Sequence, residues 1–316
     1  MSSFEPKEIS VVLLAGGNSG EREISLASGA GAKKALETAG FKVTQLDPAD
    51  KDDLRNLVDG CFDVAFLALH GKGGEDGAMQ GMLEVLGIPY TGPGIWSSAT
   101  AMDKVKAKVF YRSHGVPTPS SLTLHSSDEL SARDIADKVG SRCVVKAATE
   151  GSALGVYLCD GIDDIADALT SVFEIDDTAL AEAFVSGDEY TVAVLGTKQP
   201  EALPVIQIVP MHEFYDFESK YATGGSKHIC PAPLSEEDTK KACDLAVAAH
   251  RALGCEGVSR TDMIRDEKGE FWVLETNTIP GMTETSLLPD AARAAGMDFP
   301  ELCCRLIEDA LTRASV

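Results

Sequence analysis

The chain has 316 residues, of which 44% are hydrophobic and 25% are charged, a composition typical of a globular protein with a large core. Its formal net charge of -22 argues against nucleic acid or an anionic membrane as a general partner, because both require a basic surface. The start of the chain lacks a secretory signal pattern, and no stretch approaches about 18 uninterrupted apolar residues, so we expect a cytoplasmic protein without membrane insertion.

A strand, a loop with three glycines, which we call the N-terminal loop, and a helix open the chain. The apolar run 9–15 predicts the strand, residues 16–20 form the loop, and a helical pattern follows from about 24 to 39. Apolar runs at 41–46 and 62–69, with a helix between them, predict two further strands. This alternation is typical of a parallel βαβ sheet.

The N-terminal loop carries no nucleotide fingerprint. It matches neither Gly-x-Gly-x-x-Gly nor the Gly-Lys-Ser/Thr end of a P-loop, which disfavours a dehydrogenase built on this region. Glu21 follows the loop and could hold a substrate ammonium, while His70 follows the run 62–69 and could face the same ligand. Glycines that only permit a tight turn, and a structural histidine, explain the same residues without a ligand.

A second region begins near Met102 with a lysine-rich amphipathic helix at 103–112. Further along, the loop 146–155, which we call the glycine-rich loop, combines Lys146 with small residues whose backbone could fold over phosphates. A flexible hairpin would explain the small residues. It would not explain an ammonium beside the apolar run Cys143–Val145, where an unpaired buried charge is costly. A phosphate partner for Lys146 is the favoured interpretation.

The run Ala181–Val185 predicts an apolar strand that carries one carboxylate. A strand edge of this kind can bind an adenine amino group through Glu182 and the backbone near Val185. Glu189 follows closely enough to bond ribose hydroxyls. By itself, this pattern only suggests a nucleotide.

Two runs near the C-terminus predict a hairpin with oxygen ligands on one face. Side chains alternate along a strand, so Arg260 and Asp262 share one face of the first strand. The returning strand brings Glu275 and Asn277 together in the same way. The simplest register sets Asp262 opposite Val273, with Glu275 diagonal to it at about 7–8 Å. Oxygen donors without sulfur or imidazole favour magnesium, and ordinary polar residues at a strand end are the alternative.

The eight cysteines predict no metal or catalytic site. They form no Cys-x-x-Cys pair, and no histidine lies near them at zinc-ligand spacing. Most lie within apolar stretches, so we expect buried, reduced thiols.

Several segments, taken in chain order, resemble the D-alanine:D-alanine ligases of the ATP-grasp superfamily. They are Gly20-Glu-Arg-Glu-Ile-Ser25, Ala68-Leu-His-Gly-Lys-Gly-Gly-Glu-Asp-Gly77, Pro89-Tyr-Thr-Gly92, Met102-Asp-Lys104, Tyr215-Asp-Phe-Glu-Ser-Lys-Tyr221 and Glu275-Thr-Asn-Thr-Ile-Pro-Gly-Met-Thr283. The resemblance covers essentially the whole chain, and the combination is far more specific than any one segment.

The resemblance implies an α/β protein with an ATP-grasp fold and an N-terminal Rossmann-like parallel-sheet domain. The implied domains are 1–102, 103–184 and 185–316, the last with the metal site and a lid loop at 211–230. The implied activity joins two D-alanines through an acyl phosphate, for peptidoglycan precursor synthesis. ATP is the co-substrate, two magnesium ions are the cofactor with manganese as an alternative, and a homodimer is expected.

Site residues carry over where the motifs match. The resemblance implies ATP binding by Lys104, Lys146, Glu182, Ala183, Phe184, Val185 and Glu189, and metal binding by Asp262, Glu275 and Asn277. It implies catalytic roles for Glu21, Ser152, Tyr221, Arg260 and Gly281, and substrate binding by His70, Lys220, Ser286 and Leu287. Among these, Glu21 would hold the first D-alanine's ammonium, and Arg260 with the Gly281 backbone would hold the reacting carboxyl.

This interpretation leaves two alternatives open, and the sequence departs from the family pattern at three positions of one loop. A D-alanine:D-lactate ligase or another ATP-grasp carboxylate–amine ligase is the nearest enzymatic alternative, and Tyr221 argues for D-alanine as the second substrate. A nucleotide-binding regulatory protein without turnover is a second, which the intact charged residues disfavour. The departures are Ala147, Thr149 and Ala153 in the glycine-rich loop, which affect the geometry expected there more than its role.

Overall fold

The computed structural model describes residues 5–152, 154–210, 226–283 and 285–314. Within these residues the chain forms thirteen strands and ten α-helices, after a short 3-10 helix at Pro6–Glu8. The strands are β1 (Ser10–Leu14), β2 (Lys42–Leu46), β3 (Val64–Leu67), β4 (Ser121–His125), β5 (Arg142–Ala147), β6 (Val156–Asp160), β7 (Thr178–Ala183), β8 (Gly187–Leu195), β9 (Glu201–Ala202), β10 (Ile206–Pro210), β11 (Ser226–Ile229), β12 (Val258–Asp266) and β13 (Phe271–Asn277). The helices are α1 (Arg22–Ala39), α2 (Lys51–Asp59), α3 (Ala78–Leu86), α4 (Ile95–Met102), α5 (Lys104–Ser113), α6 (Ala132–Val139), α7 (Ile162–Phe173), α8 (Glu236–Ala252), α9 (Leu287–Ala294) and α10 (Phe299–Ala314). No helix in these ranges is long and apolar enough to cross a membrane.

The N-terminal sheet is parallel, with strand order β2-β1-β3, which confirms the predicted βαβ arrangement. Alternate residues of β1 enter different cores: Val11 and Leu13 pack in one cluster, Val12 and Leu14 in another. Both faces of β1 are therefore buried, which explains its continuous apolar sequence. Loops that follow β1 and β3 lie at the carboxyl ends of parallel strands, where ligands commonly bind.

The second sheet is antiparallel, with order β4-β7-β5-β6. Helices α6 and α7 pack on it, and their apolar residues share one core cluster with β5, β6 and β7. β5 and β6 are joined by the glycine-rich loop, so the sheet fixes both ends of that loop. Lys146 lies near the end of β5, at the start of the loop.

The third sheet has the antiparallel order β11-β10-β8-β12-β13, with β9 also paired to β8. Helix α8 packs against β8, β12 and β13. The hairpin of β12 and β13 therefore lies on a covered sheet, and the positions of its polar residues are set by strand pairing.

The predicted register of this hairpin was wrong. Asp262 pairs with Glu275 and Met263 pairs with Val273, with an irregularity between Asp262 and Met263. Leu274 is the extra residue on β13, as in a β-bulge, where two residues on one strand oppose one on the other. The bulge brings the two carboxylates directly opposite each other, where the simple register would leave them diagonal.

Candidate active site

Two cavities lie side by side among the three sheets. The larger has a volume of about 470 Å³ and the smaller about 190 Å³. They share part of their lining, which we call the shared wall. It consists of Lys104, Glu150, Gly151, Ser152, Asp262 and Glu275. A ligand held in the smaller cavity can therefore present a group to a ligand in the larger one.

The Asp262 carboxylate in the shared wall is buried and held by three side chains. Arg260 donates from Nε to Oδ1 at 2.9 Å and from Nη2 to Oδ2 at 2.8 Å. Thr191 Oγ1 donates to Oδ1 at 2.5 Å, and Asn277 Nδ2 donates to Oδ2 at 3.1 Å. The predicted cluster of Arg260, Asp262 and Asn277 is thus brought together, and the arginine is fixed by two parallel hydrogen bonds.

The same hairpin offers a donor set that fits a hard divalent cation. Asp262 and Glu275 are register partners, and Asn277 follows on the same face of β13. Their chemistry is two carboxylates and one amide oxygen, without sulfur or imidazole, which suits magnesium. No group of three or more His, Cys, Asp or Glu side chains that could hold a metal occurs in the described ranges. An ion here would take its remaining ligands from water and phosphate, as magnesium commonly does.

Lys104 begins helix α5 and reaches the centre of the shared wall. Its Nζ donates to the Glu150 carbonyl oxygen at 2.5 Å and lies 3.8 Å from Glu275 Oε2. Asp103 caps the helix by accepting from the Lys106 amide, which fixes where α5 begins. Lys104 therefore links the glycine-rich loop to the hairpin at the point where the two cavities meet.

The smaller cavity ends at a buried cluster of one carboxylate and two lysines. Glu182 on β7 is 2% exposed and forms ion pairs with Lys146 Nζ, at 2.5 Å, and with Lys108. Burial favours the neutral form of Glu182, but the two lysines more than offset this and lower its pKa. Burial also lowers the pKa of Lys108 to about 8, an effect that Glu182 opposes.

Every residue predicted to hold ATP lies in the lining of the smaller cavity. These residues are Lys104, Lys146, Glu182, Ala183, Phe184, Val185 and Glu189. The Arg142 guanidinium carbon lies 4.3 Å from the centroid of the Phe184 ring, which braces that ring from one side. Val144, Val156, Ile264 and Leu274 add apolar surface to the lining. A flat apolar ring with a charged chain attached fits this combination.

Glu21 and Ser152 join the N-terminal loop to the glycine-rich loop. Ser152 Oγ donates a hydrogen bond to Glu21 Oε1. Ser152 has a left-handed backbone conformation, with φ of 52°. The approach is close, since a Cβ added to Gly151 would lie 2.6 Å from Glu21 Oε2. Glycine at this position lets the loop backbone approach the carboxylate.

His70 lines the larger cavity but is held in the fold by neutral contacts. Its Nε2 lies 2.9 Å from Ser28 Oγ, and Ser28 Oγ accepts from the Met282 amide at 3.3 Å. Burial lowers the pKa of His70 to about 4, and nearby Arg260 also lowers it. His70 is therefore neutral at physiological pH and ties α1 to the loop that carries Gly281.

The loop after β13 closes the far side of the larger cavity. Gly281, Ser286 and Leu287 all line it, and helix α9 begins at Leu287 with Ser286 at its N-cap. A Cβ added to Gly281 would lie 2.9 Å from Ser286 Oγ, so a small residue is needed there. Helix α9 therefore begins at this end of the cavity, and the N-terminus of a helix favours an anion.

Comparison with known proteins agrees with this geometry. A family model described as "D-ala D-ala ligase C-terminus" matches residues 110–308, and one described as "D-ala D-ala ligase N-terminus" matches residues 50–93. The D-alanine:D-alanine ligase of Desulforudis audaxviator is 46% identical over 302 residues, which cover 95% of this chain and 98% of that protein. The ligase of Alcanivorax borkumensis is 45% identical over 305 residues, covering 96% and 94% respectively. This chain belongs to the D-alanine:D-alanine ligase family.

Solved ligase structures extend the agreement to the fold. The D-alanine:D-alanine ligase of Bacillus anthracis superposes with a TM-score of 0.85 at 34% identity and covers 97% of this chain and 99% of that chain. The same ligase complexed with ATP has a TM-score of 0.85 at 32% identity. The α/β fold predicted from sequence, with its N-terminal parallel sheet, is confirmed, and the protein is an enzyme of this ligase class.

Two predicted site residues of the ligase, Lys220 and Tyr221, lie outside the described residues, as do Ala153 and most of the predicted lid at 211–230. The other predicted catalytic, substrate and metal residues line the larger cavity. They are Glu21, His70, Ser152, Arg260, Asp262, Glu275, Asn277, Gly281, Ser286 and Leu287.

Glu75, another carboxylate in the lining of the larger cavity, was not predicted from the sequence as a site residue. Glu75 Oε2 accepts from the Gly71 amide at 2.9 Å, and Oε1 accepts from the Ile279 amide at 3.2 Å. Burial raises the pKa of Glu75 to about 8, and the nearby charge of Glu21 adds to the effect. Glu75 lies in the motif at 68–77, but the sequence does not distinguish it from the adjacent Asp76. The Asp76 side chain accepts hydrogen bonds from amides of its own turn.

Proposed function

We propose that ATP binds in the smaller cavity, that two D-alanines bind in the larger one, and that an acyl phosphate forms at the shared wall. The observation that carries this proposal is the wall itself, because six residues line both cavities. In the first step a carboxylate oxygen of one D-alanine attacks the γ-phosphorus and ADP leaves. In the second, the free amine of the other D-alanine attacks the acyl carbon, phosphate leaves, and the dipeptide remains.

Lys104 and Lys146 contact the ATP phosphates in this proposal. Both line the smaller cavity, and Lys104 also lines the larger one. Glu182 and the backbone of Ala183, Phe184 and Val185 hold the adenine, and Glu189 binds the ribose. The step needs little covalent chemistry from the protein, so positioning and charge neutralisation supply most of the rate enhancement.

Asp262, Glu275 and Asn277 hold two magnesium ions in this proposal, with manganese as an alternative. The bound ions would neutralise charge on the phosphate oxygens. The chain's own contribution is the paired register of Asp262 with Glu275 and the position of Lys104 beside them. Arg260, which now donates twice to Asp262, lies close enough to the wall to turn toward a reacting carboxyl.

The larger cavity is divided between the two D-alanines. Glu21 receives the ammonium of the first, and Arg260 with the Gly281 amide stabilises the oxygen that gains charge at its carboxyl. Ser286 and Leu287, at the start of α9, receive the carboxylate of the second, since amides at a helix N-terminus favour an anion. His70 shapes the first site as a neutral side chain, and Lys220 and Tyr221 would act from the lid.

The proposal extends to organisation and second substrate. Each sheet falls within one of the ranges 1–102, 103–184 and 185–316, which supports these as domains. Helix α5 is the exception, because its Ala107 and Tyr111 pack in one cluster with Val273 of the third range. We propose a cytoplasmic homodimer that uses D-alanine rather than D-lactate as the second substrate.

ADP release by the purified protein tests the proposal. The protein receives ATP and magnesium with D-alanine, with L-alanine, or with D-alanine and D-lactate together, and mass spectrometry identifies the products. We expect release in both mixtures that contain D-alanine and none with L-alanine, with D-alanyl-D-alanine as the only product. A depsipeptide at neutral pH would contradict the proposed second substrate. ADP release that does not depend on any amino acid would contradict the proposed use of both cavities.

A further inference from the structure

We propose that Lys108 balances the charge of Glu182, so that Lys146 keeps a net positive charge for the phosphates of the nucleotide. This inference rests on the proposed binding of ATP in the smaller cavity. Lys108 is absent from the lining of both cavities, so it is a positioning residue that acts through Glu182.

Lys108 is locked in place behind the cavity. Its side chain is 1% exposed, and its Nζ donates to Thr118 Oγ1 at 2.5 Å. Thr118 Oγ1 in turn donates to the Val273 carbonyl oxygen at 2.8 Å, which leaves its lone pairs for the lysine. The ammonium also forms an ion pair with Glu182 Oε1. Each partner of Lys108 is thus fixed by a second element of the fold.

The helix α5 explains how two lysines reach two different places. Lys104 and Lys108 are separated by one turn, so they project from the same face. Lys104 reaches the shared wall, where the cavities meet, and Lys108 reaches the carboxylate behind the smaller cavity. Lys106, between them, projects to solvent with 64% of its side chain exposed. One helix face therefore carries both buried cations.

The charge count of the cluster gives Lys108 its role. Glu182 is one anion, and Lys108 and Lys146 are two cations, all at least nine-tenths buried. With only Lys146 present, the 2.5 Å ion pair between Lys146 and Glu182 would be neutral and would leave no net positive charge for a phosphate. Since Lys108 binds the other carboxylate oxygen, the cluster keeps a net charge of one positive unit. That charge faces the cavity through Lys146, which is the only one of the two lysines in the lining.

The replacement Lys108→Met tests this inference, because methionine keeps an unbranched apolar side chain and removes the charge. The affinities of the purified enzyme for ATP and for adenosine are measured by titration calorimetry with magnesium chloride present. We expect ATP binding to weaken about tenfold and adenosine binding to change less than about twofold, because only ATP carries the phosphates. Equal weakening for both ligands would overturn the inference in favour of a purely structural role.

A second replacement makes the test specific for charge. In the double variant Lys108→Met with Glu182→Gln, no carboxylate neutralises Lys146. The ratio of ATP affinity to adenosine affinity should therefore return to within about threefold of the wild-type ratio. A ratio as low as that of Lys108→Met alone would overturn the inference. The double variant restores the net charge of one positive unit and removes the carboxylate oxygen that would otherwise lose its cation, so it also serves as the test if the single variant fails to fold.

Controls separate the inference from the function on which it rests. Lys106→Met, on the exposed side of the same helix, should bind both ligands as the wild type does. If the wild-type enzyme binds no ATP, the proposed nucleotide site and the inference both fail. If it binds ATP and Lys108→Met binds it equally well, only the inference fails.

Discussion

Two carboxylates of the site, Glu182 in the smaller cavity and Glu75 in the larger, show opposite effects of burial. Glu182 is desolvated, yet two lysines lower its pKa and keep it ionised. Glu75 accepts hydrogen bonds from two backbone amides and forms no ion pair within the described residues. Burial raises its pKa to about 8, and the nearby charge of Glu21 adds to the effect. The same residue type is thus ionised in one cavity and favours its protonated form in the other, because the neighbours differ.

The shared wall connects the two cavities, and breaking it should have the largest effect. Glu275→Gln removes one negative charge while keeping the side-chain volume, so we expect turnover to fall by roughly a hundredfold or more with normal folding. Steady-state ADP release and a thermal melt measure the two properties. Near-normal turnover at limiting magnesium would contradict the metal assignment and leave the two cavities without a common centre.

Loss of the Ser152 hydroxyl should affect one cavity and spare the other. Ser152→Ala removes the hydrogen bond to Glu21, so the carboxylate that receives the first D-alanine loses its fixed position. A hydrogen bond to a charged group contributes about 1.5–3 kcal/mol, so the KM for D-alanine should rise about tenfold or more. The KM for ATP should change little. An equal rise in both values would show that the loop serves the nucleotide as much as the amino acid.

The pH dependence of stability should separate Glu75 from Glu182. The raised pKa of Glu75 means that the folded state holds its proton between the ordinary value of 4.5 and about 8. The contribution of protonated Glu75 to the free energy of unfolding is complete below pH 4.5, the ordinary pKa of the unfolded chain. It is lost as the pH rises through about 8, the pKa of the folded state. Wild-type Tm should therefore fall by about 2 °C more than that of Glu75→Gln between pH 5.5 and 8.5.

Glutamine cannot accept both backbone hydrogen bonds as the carboxyl group does, so the comparison concerns the slope with pH rather than the Tm at one pH. Parallel curves for the two proteins would mean that Glu75 is already ionised in the folded state. The larger cavity would then hold its carboxylates in the same form as the smaller one.

Much of this arrangement could be predicted from the sequence, because local patterns determine it. The alternation of apolar runs predicted the parallel sheet, and the motif at 275–283 marked the hairpin that carries the ligands. The register failed because one extra residue in a bulge leaves the apolar pattern of both strands intact. Glu75 and Lys108 were missed because their importance comes from partners far away in sequence, Ile279 and Glu182.

The bulge at Leu274 also decides which changes of chain length the hairpin tolerates. Because of the extra residue, Leu274 and its neighbour Glu275 both line the smaller cavity, although strict alternation would send them to opposite faces. Deleting Leu274 would restore regular pairing, but it would turn the side chains on one side of the deletion to the opposite face of the strand. We therefore expect insertions and deletions to be tolerated in the turn at 267–270 but to disrupt the site when they fall in the segment 273–277.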